Sequence, residues 1–198
     1  NSTNNKIEVL KKYFLSNRPI DNAWTIYLLT GKNNKRFISG RYLRDLFSEV
    51  YDYPQWLIDT CYLKVGDSAE VITLLLKNKN DSQTKKIHKT SLNELLSKIL
   101  PELSKLNEEE KKSRIKKAWE TLPADNHLTF NKILTGTFRV GVSVGLITKS
   151  IAKLINIDEE IISHRLMGDF KPSINAYEFL FNMNINPVTY TISEPTRL

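Results

Sequence analysis

The residues best suited to chemistry lie in the run Leu134-Thr135-Gly136-Thr137-Phe138-Arg139-Val140-Gly141-Val142-Ser143. A helical pattern runs into this stretch and another runs out of it. Glycine, without a side chain, permits a sharp turn and a close approach to a second surface. The N–H groups that open the following helix favour anions, phosphate above all. Arg139 adds a planar, permanently charged fork. The chemistry implied is a grip on phosphate. The same residues also suit a plain interhelical turn, with Gly136 ending one helix and Ser143 capping the next. Residue types alone leave these two readings open.

Ser39-Gly40-Arg41 with Arg44 repeats that composition at another helix start. Arg41 and Arg44, spaced i and i+3, are expected to project together from the polar side. Lys64-Val65-Gly66-Asp67-Ser68 reads as a glycine C-cap followed by an aspartate N-cap, and Asp67 weighs against an anion there. Lys149 and Lys153 share a predicted solvent face after the Ser143 cap. Lys77 to Lys89 carries five lysines and one aspartate, which suits a solvated loop able to hold a polyanion loosely. Lys111, Lys112, Arg114, Lys116 and Lys117 follow Glu108 to Glu110, an order favourable to one exposed helix.

Catalytic patterns are missing from the sequence. His88, His127 and His164 are scattered without metal-ligand spacing. Neither a G-x-x-x-x-G-K-[ST] loop nor a G-x-S-x-G elbow occurs. No carboxylate cluster on one predicted face suggests a two-metal site. No catalytic or metal-binding residue is therefore assigned.

The elements that must position these turns are helices. Ile7, Leu10 and Phe14 fall at helical spacing in Lys6 to Asn17, and Asp21 is expected to cap a helix ending before Gly31. Leu43, Leu46, Phe47 and Val50 form the next stripe, and Pro54 opens a helix closed near Gly66. Asp67 with Glu70, and Ser91 with Glu94, are capping-box patterns. Helices are also expected from Asn107 to Leu122, from Asp125 to Gly136, after Ser143, from Asp158 to Gly168, and from Ser173 to Phe181. Val188 to Ile192 is short and β-prone, suiting a strand or a linker. The pattern predicts one compact all-α domain of about ten to twelve helices. The stretch Asn78 to Lys89 is read as a mobile loop that divides the domain if it has two lobes.

Composition narrows the partners. The chain has 198 residues, 29 Lys and Arg against 22 Asp and Glu, and a net charge of +7. That excess favours a polyanion modestly. No apolar run approaches a membrane span and no signal-like start is present, so no membrane partner is expected. A single cysteine, Cys61, excludes an internal disulfide. It falls in an apolar helical pattern and is expected to be a buried thiol in a reduced compartment.

Taken together, the run Phe130 to Ser143 resembles the N-terminal DNA-binding domain of ATP-dependent DNA ligases, bacterial type. Supporting matches, in the family's order, are Ala23-Trp24-Thr25-Ile26-Tyr27-Leu28-Leu29, Pro54-Gln55-Trp56-Leu57, Val65 to Glu70, and His164-Arg165-Leu166-Met167-Gly168. The resemblance implies a helical module that holds nicked duplex DNA from the minor-groove side by its backbone. It carries Gly136, Arg139, Gly141 and Ser143 to backbone contact, with Lys132 and Lys149 as neighbours. Ser39, Gly40, Arg41 and Arg44 match the family's other DNA-facing turn more loosely.

In that family a following nucleotidyltransferase domain does the chemistry with ATP and a divalent metal, magnesium, through a K-x-D-G lysine. No K-x-D-G occurs here, and Lys64-Val65-Gly66-Asp67 has the wrong order. The expectation is a helical DNA-binding domain over 1–182 and a linker over 183–198 toward a catalytic domain of the same polypeptide. The fragment alone has no sealing activity on this reading. It would be monomeric and cytoplasmic, in a bacterium. Two other classes stand beside it: a helical protein-interaction scaffold, and a stand-alone repair enzyme with Lys132 as its nucleophile.

Overall fold

The computed structural model describes residues 3–32, 35–80, 90–139 and 141–182. In chain order its helices are α1 (Thr3–Ser16), α2 (Pro19–Leu29), α3 (Gly40–Tyr51), α4 (Gln55–Val65), α5 (Ser68–Asn80), α6 (Leu92–Glu94), α7 (Leu100–Leu103), α8 (Glu108–Thr121), α9 (His127–Leu134), α10 (Val144–Ile155), α11 (Glu159–Met167) and α12 (Ile174–Phe181). A π turn, Leu95–Ile99, joins α6 to α7, and a 3₁₀ turn, Ala124–Asn126, precedes α9. No strand occurs among the described residues. The all-α expectation holds.

The helices form two compact units. One takes Asn1–Thr30 and Val142–Leu198; the other takes Gly31–Gly141. The expected divider at Asn78 to Lys89 is therefore incorrect. α1 and α2 find their partners in helices more than a hundred residues later in sequence, which local patterning cannot reveal. Residues 78–80 also belong to α5 rather than to a loop. The remainder of the basic segment, 81–89, and the expected linker 183–198 with its β-prone stretch lie outside the described residues.

In the first unit, α1 packs on α10 and α2 on α12. Ile7, Leu10 and Phe14 are buried as their spacing predicted. Leu10 and Phe14 join Ala23, Ile26, Ile147, Ile151, Ile162 and Leu180 in one apolar cluster. Phe14 meets Phe181 edge-on, with ring centroids 5.8 Å apart. Arg165 is buried and donates to the carbonyls of Leu180 and Asn182 at 3.1 and 2.8 Å, satisfying acceptors that α12 leaves open at its end. Two caps differ from expectation. α2 starts at Pro19, and Asp21 sits inside its first turn, paired with Arg18 at 2.8 Å. A proline at the first position needs no N–H there, which moves the start upstream. Asp158 precedes α11 without a side-chain capping bond.

In the second unit, α5 is central, packing against α3, α4 and α9. Phe47, Ile58, Ile72, Leu76, Ile115 and Trp119 are fully buried. A polar chain runs through this core. Trp119 Nε1 donates to Asn131 Oδ1 at 2.8 Å, Asn131 Nδ2 donates to Thr73 Oγ1 at 3.1 Å, and the Thr73 hydroxyl donates to the Ala69 carbonyl at 2.7 Å. Removing one member would leave a buried group unpaired, at a cost of about 1–3 kcal/mol. The chain therefore fixes the register of α5, α8 and α9, and α9 carries the turn at Gly136. Cys61, expected in the core, is only half-buried on α4.

The π turn has a local cause. Leu100 N–H bonds the Leu95 carbonyl, five residues back. Pro101 follows, and its ring would crowd the carbonyl four residues before it in a regular α-helix. A wider turn relieves that clash.

Candidate nucleic-acid interface

The second unit contains a cleft of about 350 Å³. Three stretches distant in sequence line it: Gly40, Arg41 and Arg44 of α3; Gly66 to Ala69 at the α4–α5 junction; and Thr135 with Thr137 after α9. Arg36 and Tyr62 complete the wall. Each glycine turn singled out in the sequence as a separate candidate thus contributes to one concavity, apart from the part of the central run beyond Thr137. Its lining holds three arginines against one aspartate.

The α9 end is a Schellman motif. Gly136 N–H bonds the Ile133 carbonyl at 3.2 Å, and Thr137 N–H bonds the Lys132 carbonyl at 2.9 Å. Gly136 takes φ +67°, the left-handed conformation this motif requires. Both amides are therefore committed to the helix end and do not point at a ligand. Gly136 has a second reason to lack a side chain. A Cβ there would lie 3.3 Å from both Cα and Cβ of Arg36. The Arg36 segment is fastened at this place by Phe37 and Ile38, whose N–H groups both bond the Leu134 carbonyl, at 3.0 and 3.1 Å.

The α3 start is built in the same way. Ser39 caps the helix by accepting from Tyr42 N–H at 2.9 Å. Gly40 presses on α5: a Cβ on it would fall 2.8 Å from Ser68 Oγ. Arg41 is exposed, its side chain 84% accessible, with Asp45 at 3.8 Å. Arg44 behaves differently and corrects the expectation that both arginines project outward together. Its side chain is 13% accessible and reaches Asp59 at 3.2 Å and Ser68 Oγ at 2.6 Å. Its guanidinium lies 4.0 Å from the Tyr62 ring centre. Arg44 ties α3 to α4 and α5 and lines the cleft with a charge that is already partnered.

Lys132 is likewise engaged. It pairs with Asp67 at 3.1 Å and Glu70 at 2.8 Å. Burial pulls its pKa down, but the bonds to Glu70 and Asp67 outweigh that and hold it above the usual lysine range. Its ammonium offsets the acidic charge of Asp67, which the sequence reading counted against an anion at this junction. Asp67 Oδ1 also accepts from Glu70 N–H at 3.0 Å, capping α5.

Arg139 is exposed, and its guanidinium makes no ion pair or hydrogen bond among the described residues. Gly141 has φ +61°. Ser143 and Lys149 belong to the first unit. Ser143 Oγ accepts from Leu146 N–H at 3.2 Å, and so caps α10 as predicted. Lys149 lies 3.8 Å from Glu159. Sequence reasoning missed Arg36 and Tyr62, and named Thr137 only as part of the run Leu134 to Ser143. Arg36 sits in the polar, basic segment between α2 and α3, where no periodicity marked it. Only the fold brings it to Gly136.

Among the described residues, no group of three or more His, Cys, Asp or Glu side chains could hold a metal ion. No helix there is long and apolar enough to cross a membrane.

The described residues form an all-helical module whose second unit carries an arginine-lined cleft. The chain belongs to the family described as DNA ligase N terminus, whose model matches residues 1–152. The matched range covers the cleft and the whole central turn and ends inside α10. The supporting segment His164 to Gly168 lies beyond it. No curated protein and no solved structure matches the chain significantly.

Proposed function

We propose that this chain is the DNA-clamping module of an ATP-dependent DNA ligase of bacterial type. It holds nicked duplex by the sugar-phosphate backbone from the minor-groove side, so that a separate catalytic domain of the same polypeptide can close on the break. The observation that carries this reading is the convergence of the glycine turns on one arginine-lined cleft, in a chain of the DNA ligase N-terminal family. Arg139, exposed a few residues past that turn and without an ion pair or hydrogen bond from its guanidinium among the described residues, supplies the charge. Gly136, Gly141, Ser39, Gly40 and Arg41 of the second unit, and Ser143 and Lys149 of the first, are also proposed to contact the DNA backbone. Lys132 and Arg44 act through their ion pairs, by fixing the walls.

The module works by capture and positioning. Cationic groups draw in the polyanion, and phosphate contacts set register without reading bases. ATP and magnesium belong, on this reading, to the catalytic domain. The module is proposed to act as a monomer in the bacterial cytoplasm. The scaffold reading gains no support from the family match.

Titrating labelled nicked duplex at several salt concentrations tests the proposal. Each neutralised phosphate makes log affinity fall by about 0.9 per log unit of salt. Arg139→Ala should weaken binding to all sequences alike and make that slope shallower by roughly one phosphate's worth. An Arg139→Ala protein with the parent's affinity and slope would show the assigned grip to be wrong. Absence of duplex binding by the parent at moderate salt would return the scaffold reading.

A further inference from the structure

We infer that the cleft of the second unit is a socket for a single phosphate, with Arg36 as its principal ligand. The inference rests on the DNA-clamping reading and names the phosphodiester as occupant. Arg36 is exposed, and among the described residues its side chain makes one hydrogen bond, from Nε to the Ile38 carbonyl at 3.2 Å. Its terminal amino groups are left without a partner among the described residues. The two backbone bonds from Phe37 and Ile38 to Leu134 pin the segment to the end of α9. A guanidinium held at its base and open at its tip is suited to bidentate capture of phosphate oxygens.

The rest of the wall fits the same occupant. Arg41 is highly exposed, and its nearest carboxylate stands at 3.8 Å, so its charge remains available. Ser68 Oγ accepts from Arg44, leaving its own proton to donate. Asp67, the acidic member of the lining, is offset by Lys132. Stacking of a base on Tyr62 is opposed, because Arg44 already covers a face of that ring. The cleft thus favours a charged phosphate over a nucleobase. Gly136 matters to it indirectly: the missing side chain leaves room for the backbone of Arg36, a residue of the cleft lining, at the end of α9.

A methylphosphonate scan combined with Arg36→Gln tests this. Nicked duplexes are made with one uncharged backbone position each and titrated against the chain, against R36Q and against R36K. The expected result is a position whose neutralisation weakens the parent several-fold but leaves R36Q unchanged. R36Q should also show a salt slope shallower by about 0.9, which R36K restores. Unchanged urea midpoints would accompany both variants, since the Arg36 side chain carries little of the packing. If the parent and R139A behave as a backbone clamp but no position couples to Arg36, the socket is wrong and the clamp stands. If inorganic phosphate binds saturably through Arg36 while duplex binding ignores it, the occupant is a free phosphate and the proposal is overturned. A parent that binds no duplex overturns both readings together.

Discussion

The space that a side chain on Gly136 would need is taken by Arg36, whose Cα stands 3.3 Å from the absent Cβ. One residue ends a helix in a left-handed turn; the other, a hundred positions earlier, places a guanidinium on the cleft wall. The glycine therefore serves the site through the conformation of its own backbone and the room it leaves, and not by donating an amide.

This relationship gives the first prediction. Gly136→Ala should destabilise the chain by about 1–2 kcal/mol from the left-handed conformation alone. The added methyl would also push Arg36 aside. Gly136→Asn, which tolerates that conformation better, should recover part of the stability but not the fit. Urea midpoints separate the backbone cost, and duplex titration reports the displaced arginine. Equal stability of the alanine variant and the parent would contradict the assigned turn.

Arg44 and Arg41 should part company, although three residues separate them in sequence. Arg44→Ala removes the Asp59 pair, the Ser68 bond and the packing on Tyr62. A loss of about 1–3 kcal/mol is expected, as for a hydrogen-bonded charge leaving partners unmet. Arg41→Ala touches little and should stay within about 0.5 kcal/mol of the parent. Thermal or urea unfolding of the two variants checks the contrast. Similar behaviour of the pair would mean that Arg44 is not the strut described.

His127 makes stability depend on pH. It is fully buried at the start of α9, and burial pushes its pKa below the usual histidine value, with the Trp119 and Leu122 backbone opposing that only partly. A depressed histidine is neutral when folded, while the unfolded chain binds a proton near about pH 6.5. Stability is then complete above that pH and declines as pH falls toward the folded-state value. The urea midpoint should drop between about pH 7.5 and about pH 5.5. His127→Gln should flatten that dependence. A profile equally steep in the variant would assign the proton uptake to another group.

Much of the fold was legible in the sequence because helix punctuation is local. Ser39, Ser91, Asn107, Ser143 and Ser173 each cap the helix they were expected to cap. The stripe Ile7, Leu10, Phe14 is buried as spaced, as are Leu43, Leu46 and Phe47 of the next, whose fourth member Val50 is only half-buried. Errors arose where a second local rule competed, as when Pro19 started α2 ahead of Asp21. Errors also arose where burial depended on distant neighbours, as for Cys61 and Arg44.

The sequence by itself determined the helical class, most of the caps, the positions of the glycine turns and an excess of positive charge. Each of these depends on residues within a turn or two of one another, or on simple composition. Tertiary structure alone decided that α1 and α2 pack with the C-terminal helices, and that Arg44 and Lys132 are held in ion pairs. It also decided that Arg36 comes to rest on Gly136. Those outcomes depend on which apolar faces bury one another across the chain. Periodicity within a segment shows that a face exists, but it does not identify the partner that will cover it.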